Sequence, residues 1–107
     1  MTEIAVDIEA ALASYTECRR GVARARVELA TTQTAAAANQ ERRQRWVLAE
    51  LNGATDEARR HEVSDATLSD DQKQVSNSTV RLNASIEEYD AAVRTLAVAA
   101  ASVRGMP

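Results

Sequence analysis

Apolar residues recur along this chain at alternating steps of three and four, in two long rows. The first is Ile4, Ile8, Ala11, Tyr15, Cys18, Val22, Ala25, Leu29, Thr32 and Ala36. The second is Leu68, Gln72, Val75, Thr79, Leu82, Ile86, Tyr89, Val93, Leu96, Ala100 and Val103. Such alternation keeps one face of an α-helix turned toward another helix over many turns. The rows mirror each other about the middle of the chain. Folding back near Asn52-Gly53 sets position 4 opposite 103 and position 36 opposite 68 or 69. The pattern therefore predicts an all-α, antiparallel, coiled-coil-like two-helix hairpin.

Local signals set the expected bounds. Thr2 is a candidate N-cap, with Glu3 in the first turn where the helix dipole favours an acid. Thr31 to Thr34 lowers helix propensity but holds no Gly or Pro, and Ala35 to Ala38 follows at once. Asn39 to Arg45 is strongly polar, and Trp46, Val47, Leu48 and Leu51 then restore apolar character. Asn52-Gly53 is the strongest interior breaker, because glycine enters the left-handed region without a steric cost. Thr55, Asp56 and Glu57 read as a cap and an acidic first turn. Arg104, Gly105 and Pro107 form the terminal stop. The expectation is a single helical domain over 1–107, with a helix at 2–51, a turn at 52–54 and a helix at 55–104. A second candidate break lies at Ser64 to Ser69, where Ser69 followed by Gln72 matches a capping box. With a further break near Thr32, the alternative is a three-helix bundle.

Composition strengthens the helical reading. Among 107 residues there are 22 alanines, three glycines, one proline and no phenylalanine. Alanine is the best helix former, and small side chains suit close contact along a narrow seam. Net charge is −3, with both signs mixed. The arginine runs at Arg19, Arg20, Arg24 and Arg26, and at Arg42, Arg43 and Arg45, read as ion-paired surface rather than a nucleic-acid footprint. Folded back, Arg19 and Arg20 approach Glu87, Glu88 and Asp90, and Glu3 approaches Arg104. Arg42 to Arg45 lie beside the mixed charges of Asp56 to Asp65.

No motif with a catalytic mechanism is visible, so no enzyme, no cofactor and no small-molecule substrate is expected. His61 is the sole histidine and reads as a solvated helix residue; without neighbouring ligands it makes no metal site. Glu87, Glu88 and Asp90, like Asp70 and Asp71, lack calcium-loop geometry. Cys18 is the only cysteine and reads as a small thiol within the seam. No stretch has the apolar length of a membrane span. Glu3, Asp7 and Glu9 replace the basic start of a signal peptide. The expected location is the cytoplasm, or outside it by export without a cleaved signal.

A hairpin this small has little core for its size, and pairing into a four-helix bundle would add to it. A second apolar set is read as lying beside the seam: Val6, Ala10, Ala13, Ala23, Val27 and Ala30 on one helix, and Val80, Ala84, Ala91, Val98 and Ala101 on the other. Val6 is expected near Val98 and Val27 near Val80, forming one partner-binding face; the competing reading is ordinary surface. Trp46 either packs locally near Ala58 or meets a partner at the hairpin tip. The expected partner is a second copy or a related helical protein.

Chain length, alanine richness, the helical hairpin and Trp46 near the bend resemble the WXG100 (ESAT-6-like) family. The resemblance implies a hairpin that forms homo- or heterodimers, associated with type VII secretion. Trp46 is followed by Val47 and Leu48, so the family's Trp-x-Gly turn is not present. Tyr89 leads to Val93 and Tyr15 to Arg19, so neither gives its Tyr-x-x-x-Asp/Glu export motif. Length and helicity also resemble a spectrin-type repeat, the comparison behind the three-helix alternative. The functional expectation is a non-enzymatic interaction module; the alternative is a structural or adaptor coiled coil, phage- or envelope-associated, with no secretion role.

Overall fold

A computed structural model describes residues 2–105, with side chains from Ile8 onward. The chain is all-α and hairpin-like. Helix α1 spans Thr2–Leu51, α2 spans Thr55–Arg60 and α3 spans Asp65–Arg104. The described residues group into two compact units. Unit 1 takes residues up to Val27 with those from Val80 onward, and unit 2 is Glu28–Thr79.

The break near Thr32 on which the three-helix alternative depends is absent, and α1 runs on as expected. α1 continues through the threonine-rich stretch. There the Thr32 and Thr34 hydroxyls donate to the carbonyls of Leu29 and Ala30, at 3.0 and 2.8 Å. Such back-bonds satisfy the hydroxyls without taking a backbone donor from the helix.

The stop after Leu51 is a Schellman motif. Gly53 has φ +71°. The Gly53 N–H donates to the Glu50 carbonyl at 3.1 Å, and the Ala54 N–H donates to the Ala49 carbonyl at 2.8 Å. Both bonds satisfy carbonyls that the helix end would otherwise leave unpaired.

The helix expected over 55–104 is instead two helices separated at His61–Ser64. Thr55 is inside α2 rather than its cap: Ala54 occupies the cap position and makes no side-chain cap bond. His61 ends α2, its N–H on the Ala58 carbonyl at 3.1 Å, and is half-buried rather than a solvated helix residue. The cap of α3 is Ser64, not Ser69. Ser64 Oγ accepts the Thr67 N–H at 3.1 Å and lies 3.0 Å from the Thr67 hydroxyl. Asp65 follows in the first turn, where the dipole favours its charge. Ser69 lies within α3.

Burial sorts the helix faces. In unit 1, α1 turns Ile8, Ala11, Tyr15, Cys18, Val22 and Ala25 inward. In unit 2 it turns Leu29, Thr32 and Ala36 inward, and the row continues through Asn39, Arg43, Trp46 and Ala49. With heptad position a at Ile8, these residues up to Trp46 alternate between a and d.

The α3 seam differs from the expected row. Leu68, Val75, Leu82, Tyr89 and Leu96 are half-buried, as expected for one half of the seam. Its other half is Asp71, Ser78, Ser85, Ala92 and Ala99. The expected Gln72, Thr79 and Val93 lie one residue later and are exposed, as is Val103 at the helix end; Ile86 and Ala100 are half-buried. With a at Leu68, the seam uses a and d, whereas every second residue of the expected row, Ile86 and Val93 among them, occupies e. Small d residues let the two backbones approach, and close approach gains dispersion contacts along the whole seam. Ser78 is 0% exposed and Ala92 is 6% exposed.

Candidate interaction surface

Unit 1 presents an aromatic pair within its seam. The rings of Tyr15 and Tyr89 have centroids 5.5 Å apart and planes at 38°, within the range favoured for tilted aromatic contacts. The Tyr89 hydroxyl donates to the Tyr15 hydroxyl at 3.5 Å. That hydrogen bond, helped by burial and by the neighbouring Tyr15 charge, raises the Tyr89 pKa above 10, against the opposing pull of Arg19. A raised folded-state value means the associated stability is complete below the unfolded pKa and is lost as pH rises through the folded one. In Tyr15→Phe the Tyr89 titration midpoint should fall toward 10, followed by NMR of its ring carbons. An unmoved midpoint would exclude the hydrogen bond as the cause.

The valines expected to form one face are exposed where described: Val27 at 67%, Val80 at 66% and Val98 at 67%. Val6 lies outside the described side chains. Val27 and Val80 do not join the seam side of their helices. Val27 is two residues from both Ala25 and Leu29, and Val80 is two from both Ser78 and Leu82. At about 100° per residue, each points away from the seam on its own helix. Val98 stands on the rim of a groove of about 620 Å³, shared with Ala10, Ala11, Ser14, Thr95 and Ala99. The sequence reading missed Leu12, which is exposed in this unit along with Val93. The signal was available in the spacing, since each follows a buried alanine by one residue.

Unit 2 positions Trp46 near the chain reversal. The Trp46 Nε1–H donates to Glu50 Oε1 at 3.0 Å, and the Arg43 guanidinium lies 4.9 Å from the ring centroid. Trp46 is half-buried and shares a groove of about 380 Å³ with Gly53, Ala58 and Arg59. Arg43 also reaches across to the connector before α3. Its Nη1 donates to the Val63 carbonyl at 3.0 Å and to Asp65 Oδ1 at 2.7 Å. Arg42 donates to the Arg60 carbonyl at 3.1 Å, and Asn39 Nδ2 donates to Asp71 Oδ2 at 2.7 Å. These bonds hold the polar part of the α1 seam, which hydrophobic periodicity does not reveal. Behind Trp46, the outer face of α1 exposes Val47, Leu48 and Leu51.

Among the described residues no group of His, Cys, Asp and Glu is arranged to hold a metal ion. No described helix is long and apolar enough to cross a membrane. No family model matches the chain, and neither a curated protein nor a solved structure matches it.

Proposed function

We propose that this chain is a non-enzymatic protein–protein interaction module, a helical hairpin that pairs with a second copy or a related helical protein into a four-helix bundle. One observation carries the reading: large apolar side chains remain at the surface of both units. Leu12, Val93 and Val98 do so in unit 1, and Val47, Leu48 and Leu51 in unit 2. Val47, Leu48 and Leu51 stand within about one turn of α1, and an apolar patch of that kind on a small chain marks a place that another molecule covers. The type VII secretion association implied by the WXG100 resemblance rests on chain length, alanine richness, the helical hairpin and Trp46 near the bend, and adds nothing to the chemistry of pairing.

The test is the mass of the tagged chain by size-exclusion chromatography with light scattering, first purified and then in lysate of its source cell. The expected result is a defined complex in at least one condition, with helical content retained. A folded 11.6 kDa monomer in both conditions would overturn the reading.

A further inference from the structure

Within unit 1, α3 is apolar over more of its circumference than α1 covers. Leu82, Ser85, Tyr89, Ala92, Leu96 and Ala99 form its a/d seam, and Ile86, Val93 and Ala100 add a third row at e. A stripe limited to a and d suits one neighbouring helix; a stripe that includes e spans about 100° or more and suits two. α1 contributes Leu12 at its own e position, 51% exposed, followed there by Arg19 and Arg26. In an antiparallel pair the two e rows flank the same side of the seam. The Tyr15–Tyr89 contact fixes the level, which places Leu12 beside Val93. On that side a groove of about 400 Å³ is lined by Arg19, Arg26, Ile86 and Asp90.

We infer that a second copy of this chain covers this flank, related by a two-fold axis running along the paired helices of unit 1. This rests on the pairing reading above and specifies its partner and geometry. Turning a copy about that axis lays α1 of one chain over α3 of the other. Leu12 of each then meets Val93 of the other, and Arg19 of each faces Asp90 of the other. The patch thus pairs apolar with apolar and positive with negative across the axis, as an isologous interface requires. A perpendicular axis would lay α1 over α1 and bring the Arg19 and Arg26 rows of the two copies together. A standard interface asks roughly 800 Å² of each partner, out of the 7772 Å² that the chain exposes in all.

The purified full chain should be a dimer by light scattering. Leu12→Glu and Val93→Glu should each weaken that dimer at least tenfold while circular dichroism stays helical, because both side chains are exposed. In a Cys18→Ser background, a mixture of Leu12→Cys and Val93→Cys chains should form a mixed disulfide dimer in preference to either chain with itself. That measurement leaves the flank uncharged, so it decides the matter even where a glutamate variant unfolds. A folded monomer that finds a complex only in lysate would overturn the self-pairing and leave the interaction reading standing. A dimer insensitive to both glutamates, or preferential cross-linking of Leu12→Cys with itself, would overturn the face or the axis.

Discussion

Ser78→Asp is expected to destabilise the protein by about 3 kcal/mol, the order seen when a charge is buried without a partner, whereas Thr79→Asp is expected to change stability by no more than about 0.5 kcal/mol. The two positions are adjacent, equally polar and both on α3. Ser78 is wholly buried in the d row of unit 2. Thr79 is exposed at e, its hydroxyl bonded to the Val75 carbonyl at 2.9 Å. A carboxylate at 78 must be desolvated against α1 or be protonated at a cost; at 79 it stays in water. For a domain of this size the difference corresponds to about 15 °C in melting temperature, readable by circular dichroism. Equal losses at the two sites would mean that the seam does not run through d.

Arg43→Ala is expected to cost about 2 kcal/mol, the range for hydrogen bonds made by a charged donor. The ion pair with Asp65 supplies little of this, because the Asp65 side chain is 88% exposed and exposed pairs are screened. The larger part comes from the bond to the Val63 carbonyl in the connector, with Val63 itself 4% exposed, and from the cation over the Trp46 ring. The loss should appear as faster amide hydrogen exchange around His61–Ser64 and the first turn of α3. Asp65→Ala serves as the control, with an effect under about 1 kcal/mol. If Asp65→Ala equals Arg43→Ala, the surface ion pair is what matters and the carbonyl bond is incidental.

Much of the helical fold was legible along the chain. Alternating three–four steps identify a seam, and Asn52-Gly53 identifies a reversal, because both are local consequences of helix geometry and of glycine's freedom at positive φ. The a/d row of α1 up to Ala36 follows directly from residue type. Beyond it, Asn39 and Arg43 occupy the seam through side-chain bonds to Asp71, Val63 and Asp65. Those partners are about 20 to 30 residues away, out of reach of any periodicity argument.

The α3 seam shows the limit most clearly. Beside its a row the sequence offers two neighbouring rows, one at e with Gln72, Thr79, Ile86, Val93 and Ala100 and one at d with Asp71, Ser78, Ser85, Ala92 and Ala99. Hydrophobicity alone selects e. Helix–helix distance selects d, since a small residue at the contact brings two backbones close enough for every neighbouring side chain to pack. The interruption at His61–Ser64 has a similar origin. Ser64 and Thr67 provide a local cap, but Arg43 from a distant turn of α1 binds the connector and stabilises the break. Residue identity thus determined helicity, reversal and the general course of the seam, because these depend on neighbours within a turn or two. Which of two adjacent rows is buried, and which valines and leucines stay at the surface, was decided only when the helices met, because burial is a property of the pair.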